Sequence, residues 1–349
     1  MLSLADIAGG APLDLDLDGH GAPRRPFVIV DLGRSSRSKA DDAAATERLA
    51  QALPVVIGID ANDGLDDGTM CHTAAPGCDV VLVGCADGGT SIASQQVVVD
   101  DPLGAVAAIG ALIARSPRAA VSLAALLRQT EALDVRSGLL AESAVYSTLL
   151  AGPEHGAWLA ARGERPPPPA GEPVSVRRDG DVLRITLTRA QRRNSVTAAV
   201  RDALVDALDI AHADPTLRVE IDAEGPDFST GGDLDEFGTR PDVATAHVVR
   251  SDRSVGRAIH QIRDRVHVRL HGRAQGSGIE LPAFAGHVVA TADATFELPE
   301  LALGLVPGAG GTVSVTKRIG RWRTAWLALS GEPIDAPTAR TWGLIDGIA

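Results

Sequence analysis

The chain has 349 residues, with 33 basic against 45 acidic side chains and a net charge of −12. At roughly 150 residues per domain this length predicts two domains or one large one. An apolar fraction of 45% with 22% charged residues excludes wholesale disorder, and the acidic balance argues against a general nucleic-acid or anionic-membrane partner, since either would want a positive field.

A phosphorylated small molecule held by local arginines is compatible with that balance. The only lysines are Lys39 and Lys317, a bias toward arginine that, with the excess of alanine, points to a GC-rich bacterial genome. Five Phe, four Trp and one Tyr leave the core to Ala, Val, Leu and Ile. No apolar run approaches the roughly 20 residues of a membrane helix, and Met1 to Asp6 lacks the basic and apolar regions of a signal peptide. Cys71, Cys78 and Cys85 are an odd, sparse set that fits a reducing compartment, so a cytoplasmic protein is expected. Their spacing, with His72 alongside, is not a zinc pattern, and no metal site is predicted.

In chain order, Asp14-Leu15-Asp16-Leu17-Asp18-Gly19 begins like a calcium loop. Its twelfth position is Arg25 rather than Glu, and the alternation predicts a half-buried strand instead. Phe27 to Leu32, Ala52 to Gly58 and Cys78 to Asp87 read as strands, and Pro102 to Ala161 as Ala- and Leu-rich helix. Pro166 to Pro169 cannot continue a helix and mark a domain boundary.

Beyond the boundary, strands at Val182–Leu187, Arg218–Ala223, Val266–Leu270 and His287–Ala290 alternate with other elements. These are helices at Thr197–His212 and Val248–Asp264 and a short one at Gly278–Phe284, which argues an α/β class. Helices around Arg321–Leu329 and Ala336–Trp342 close the chain. The strands at Phe27, Ala52 and Cys78 echo those at Val182, Val266 and Gly286 in fixed order, which suggests duplication.

Three segments carry chemistry: Asp227 to Leu234, His271 to Leu281, and Ala294 to Thr312. Glycine in each lets a backbone approach a ligand and leaves N–H groups pointing outward. Two such turns could aim amides at one oxygen. Glu280 and Glu300, on separate elements, could divide acid and base roles across one pocket. Gly308-Ala309-Gly310-Gly311 is neither G-x-G-x-x-G, since Val313 holds the last position, nor a P-loop.

Together these segments resemble the crotonase (enoyl-CoA hydratase/isomerase) superfamily over about Val174 to Ile345. Arg189 to Val196 matches its first CoA-contacting turn. The resemblance implies a spiral of β-β-α repeats with a helical trimerisation or capping region, and a homo-oligomer, trimer or hexamer. It implies oxyanion-hole amides at Gly232 and Ser277, the latter usually Gly, and catalytic carboxylates at Glu280 and Glu300. CoA and substrate contacts would come from Arg192, Arg193, Ser195, Thr230, Asp233, Leu234 and Gly276. The implied activity is addition of water to a trans-2-enoyl-CoA without metal or redox cofactor. Another CoA-thioester reaction such as isomerisation, or a non-catalytic acyl-CoA-binding scaffold, are the alternatives.

Only 49 residues follow Glu300, too few for the family's C-terminal helices. Ala107 to Arg162 resembles those helices instead. The expected organisation is therefore a degenerate crotonase-like unit with capping helices over residues 1–165, a Pro-rich linker over 166–173, and a catalytic core over 174–349 that lacks its own C-terminal helices.

Overall fold

The computed structural model describes residues 1–33, 39–60, 75–84, 95–163, 172–239 and 242–349. Cys71, His72, Cys85 and Pro166 to Pro169 lie outside them. The first part holds β1 (Leu2–Ser3), α1 (Leu4–Ala8), β2 (Phe27–Asp31), α2 (Lys39–Ala50), β3 (Val55–Asp60), β4 (Val80–Gly84) and β5 (Val97–Val99). The strands form one parallel sheet in sequence order. β3 is buried along its whole length, as expected of a Val/Ile-rich strand covered on both faces. Four helices follow: α3 (Pro102–Arg115), α4 (Pro117–Thr130), α5 (Val135–Leu150) and α6 (Pro153–Arg162). Pro stands in the first turn of α3, α4 and α6, where its missing N–H costs nothing.

The second part opens with the hairpin β6 (Val174–Asp179) and β7 (Val182–Leu187), then α7 (Ala198–Ala213), β8 (Arg218–Ala223), α8 (Val243–Asp252) and α9 (Val255–Gln261). It continues with β9 (Val266–Leu270), β10 (Arg273–Gln275), α10 (Ser277–Glu280), β11 (His287–Ala290), β12 (Thr295–Glu297) and α11 (Gly311–Ser330). β13 (Ile334–Asp335), α12 (Ala336–Trp342) and β14 (Gly347–Ile348) complete it. A six-stranded sheet runs β14-β11-β9-β8-β7-β6, and a second sheet runs β10-β12-β13. β9–β10 and β11–β12 each give one strand to either sheet, so successive units climb as a spiral of β-β-α turns. The class is mixed α/β.

The two parts share one hydrophobic core, from Ile57 and Leu82 through Leu123 and Leu127 to Val268 and Leu329. Charge reinforces the join. Arg321 of α11 lies 3.1 Å from Glu131 and donates to the carbonyl of Cys78, while Arg128 pairs with buried Asp79 at 2.5 Å. Cys78 is sealed in a second apolar cluster, with Val30, Leu49 and Val81, and that burial pushes its thiol up to about 12.

Several expectations need correction. Asp14 to Asp18 is not a strand: Asp14 and Asp18 accept the N–H groups two residues on, and Asp16 adopts a positive φ. Short acidic side chains that bond their own backbone compete with a ladder. The helix expected at Val248–Asp264 is two helices, because Ser254 caps α9 by accepting from Arg257 N–H. The helix expected from Arg321 begins ten residues earlier at Gly311 and bends at Gly320. β2 and β3 pair directly, whereas β8 lies between β7 and β9, so the expected echo is not strand for strand. Among the described residues no single helix is long and apolar enough to cross a membrane, and no acidic, His or Cys cluster suits a metal.

Candidate active site

Strand register builds the site. Ser229 bridges Ala274 in parallel, with Gln275 N–H donating to the Ser229 carbonyl at 2.9 Å. Three residues further along both chains come Gly232 and Ser277. The two turns touch: a Cβ on Gly231 would lie 2.9 Å from the Gln275 carbonyl oxygen. The Gly232 strand segment bonds Val196 through its neighbours, Val196 N–H donating to Gly231 and Asp233 N–H to Val196. Neither Gly232 N–H nor Ser277 N–H has an acceptor among the described residues. A pair of free amides beside a cleft can receive an oxygen that gains negative charge. Ser277 Oγ is buried and likewise has no partner among the described residues.

Glu280, 2% exposed, ends α10. Its Oε2 accepts the N–H groups of Ala309 and Gly311, both at 2.8 Å, at the turn that opens α11. Glu300 follows β12, which pairs β10 in parallel and so carries Glu300 to the same end of the sheet. Gly276 has φ +50°, and a Cβ there would stand 2.6 Å from Glu300 Oε1, so glycine is required twice over. Glu300 Oε2 is sealed from solvent and unbonded among the described residues. Burial holds both carboxyls above the usual range. The two N–H donors oppose that rise at Glu280, and the charge of Glu280 adds to it at Glu300.

A third carboxylate joins them. Glu142 of α5, 1% exposed, accepts from Gly310 N–H at 2.6 Å and from Thr312 N–H and Oγ1 at 2.9 and 2.7 Å. Burial and the charge of Glu280 push it upward too. Tyr146, one turn later, packs its ring on Gly308, where a Cβ would come within 2.4 Å. The upstream helices also hold the site at Thr130, whose Oγ1 donates to the Thr312 carbonyl, at His155, which bonds the Leu303 carbonyl, and at Arg162, 2.7 Å from Asp235.

The three glutamates and the Gly232 and Ser277 turns line one cleft of about 1450 Å³. It brings together Glu280, Glu300, Gly232, Ser277, Gly276, Thr230, Asp233, Leu234, Ser195, Arg192 and Arg193. Their duties differ. Asp233, 3% exposed, accepts from Ser195 Oγ at 2.7 Å and pairs with Arg189 at 3.4 Å and Arg192 at 3.0 Å. Those bonds hold its carboxyl below the usual range against the cost of burial. Arg192 also pairs with Asp235, so it holds the turn together. Arg193 is 54% exposed at the side chain and, among the described residues, pairs only with Asp227, at 3.9 Å. Glu142, Tyr146 and Arg250 were not singled out from sequence. The stretch Ala107 to Arg162 carries the resemblance to capping helices, but nothing in it shows the reach of Glu142.

A two-sheet spiral that brings free amides and buried carboxyls to one cleft is an α/β arrangement able to polarise a carbonyl. Residues 177–349 match the family model described as enoyl-CoA hydratase/isomerase. Over 174 residues the chain is 33% identical to the 2,3-dehydroadipyl-CoA hydratase of Escherichia coli (strain K12), covering 50% of this chain and 68% of that protein. Over 183 residues it is 35% identical to the cyclohexa-1,5-dienecarbonyl-CoA hydratase of Thauera aromatica, covering 52% and 69%. The crystal structure of enoyl-CoA hydratase from Thermoplasma volcanium GSS1 superposes with a TM-score of 0.48 at 31% identity, covering 51% of this chain and 72% of that one. The chain belongs to the enoyl-CoA hydratase/isomerase family. It spans about two thirds of the length of the two named relatives.

Proposed function

We propose that the chain adds water across the double bond of a trans-2-enoyl-CoA thioester, with Glu280 and Glu300 as the catalytic pair. The observation that carries this reading is the convergence of both glutamates on the cleft that holds the free N–H groups of Gly232 and Ser277. Those amides would accept the thioester oxygen and stabilise the charge it gains, and a lost donor of this kind typically costs about 10²–10³ in rate. Glu280, with two N–H donors on Oε2, ionises more readily than Glu300, whose Oε2 has none. As carboxylate it takes a proton from water while the water oxygen bonds the β-carbon, and the double-bond electrons move onto the thioester oxygen. Glu300, kept protonated by burial and by its acidic neighbours, delivers a proton to the α-carbon as the carbonyl re-forms.

Coenzyme A enters as part of the substrate, and no metal or redox cofactor takes part in the proposed steps. Of the residues expected to meet it, Arg193, Thr230 and Leu234 line the same cleft. Assembly as a homo-oligomer, trimer or hexamer, and capping of the cleft by a crotonase-like first unit belong to the same proposal; sedimentation velocity reads the former. The reaction is tested by loss of crotonyl-CoA absorbance with wild type, Glu280→Gln and Glu300→Gln. Rates lowered by a factor of roughly 10² or more in both variants support the assignment, and equal rates in all three remove it. Double-bond migration without hydration, followed on a 3-enoyl-CoA, would replace hydratase by isomerase.

A further inference from the structure

Arg250 stands in the cleft wall without a counter-ion among the described residues. It lies on α8, which packs against α5, and burial lowers its affinity for its proton. Nη1 donates to Ser143 Oγ and Ser147 Oγ, each at 3.2 Å, and to the Ala246 carbonyl. Nε and Nη2 make no hydrogen bond among the described residues, and neither is sealed from solvent. No carboxylate reaches it among the described residues. Glu142, the nearest candidate, spends its oxygens on Gly310 and Thr312.

Of the neighbouring arginines, Arg253 pairs with Asp202 and Asp206, and Arg257 donates to the Asp252 carbonyl. A partly desolvated guanidinium with two open donors is costly unless an anion completes it. Its place is next to the chemistry. The guanidinium carbon lies 4.6 Å from the centre of the Tyr146 ring, and that ring packs on Gly308, beside the turn that holds Glu280. One aromatic ring therefore separates Arg250 from the proposed reacting centre. His247, bonded through Nδ1 to Ser143 Oγ at 2.9 Å, lies on the same helix face.

We infer that Arg250 receives a carboxylate at the far end of the acyl chain, so that the favoured substrates are mono-CoA thioesters of unsaturated dicarboxylic acids. The inference rests on the enoyl-CoA reading for the thioester and on Arg250 for the terminal charge. A planar guanidinium with two adjacent donors matches a carboxylate bidentately, which a lysine would not.

The test uses two inert saturated probes, hexanoyl-CoA and the mono-CoA thioester of the six-carbon dicarboxylic acid, titrated calorimetrically into wild type, Arg250→Met and Arg250→Lys. Wild type is expected to bind the carboxylated probe roughly ten- to hundredfold more tightly, the range of a charge-assisted hydrogen bond. Arg250→Met should bring the ratio near one, and Arg250→Lys should keep part of it. Equal binding of both probes by wild type overturns the inference, and needs no variant to fold. Equal weakening of both probes in Arg250→Met also overturns it, since the cation would then serve the CoA phosphates. A retained preference without turnover of either enoyl-CoA would leave this inference standing and remove the hydratase reading. Failure of both probes to bind would remove both.

Discussion

Glu142 and Glu280 divide one turn between them. Glu280 takes the N–H groups of Ala309 and Gly311, and Glu142 takes those of Gly310 and Thr312. Four successive donors at the start of α11 thus face two carboxylates, one from each part of the chain. A helix start is where such donors lack intrahelical partners and where negative charge is best tolerated. Both carboxylates thus brace the turn.

Removing the charge at Glu142 should therefore be felt at Glu300, whose proton the charges of Glu280 and Glu142 help retain. In Glu142→Gln the pKa of Glu300 falls, and with it the pH at which the proposed acid is lost. The descending alkaline limb of the kcat/KM profile should move to lower pH. An alkaline limb in the same place would show that Glu142 serves the turn alone.

Glu142, Glu280 and Glu300 all bind protons more tightly folded than unfolded. With more protons bound in the native state, stability falls as pH rises from the ordinary carboxylate range through the raised native values. Urea midpoints should decline between about pH 5 and about pH 8, and decline less steeply in Glu142→Gln. Identical slopes would contradict the shift at Glu142.

The buried hydroxyl of Ser277 has no partner among the described residues. Ser277→Ala removes an unmet hydrogen-bonding group without touching the backbone N–H, and should stabilise the fold by about 1 kcal/mol. Denaturant unfolding reads this directly, and a loss of stability would mean that the hydroxyl has an acceptor.

Gly276→Ala should cost far more activity than its size suggests. The methyl group would enter the space of Glu300 Oε1 at a positive φ, a strain of about 1–2 kcal/mol before any displacement. A kcat lowered by roughly tenfold or more, with KM less affected, is expected; unchanged kcat would separate Glu300 from the chemistry.

Arg192 and Arg193 should behave differently despite their adjacency. Arg193→Ala is expected to raise KM for CoA thioesters, because that guanidinium is largely uncommitted. Arg192→Ala should mainly lower stability, by loosening Asp233 and Asp235. Matching KM effects in the two variants would argue that both meet the ligand.

Much of the second part was legible because local signals agree there. The strands at Val182, Arg218, Val266 and His287 begin and end where their apolar runs do, and glycines mark the turns whose amides are free. What was not legible depends on partners distant in the chain. Nothing near Glu142 says that its oxygens meet Thr312, and nothing near Arg250 says that Ser143 and Ser147 lie opposite. The misread strand at Asp14 shows the other limit: alternation alone cannot tell a pleated ladder from aspartates folding back on their own amides.

The contacts that finish the site span great distances along the chain: 168 residues from Glu142 to Gly310 and 182 from Thr130 to Thr312. During synthesis α3 to α6 leave the ribosome long before the sheet and turn that will cover them. The part of their apolar surface that α11 covers must wait, and the loops they close are entropically slow to form. The helices that complete the cleft are thus also a folding liability, exposed to aggregation until the last third of the chain has been made. A chaperone acting on the nascent chain would be most useful in that interval.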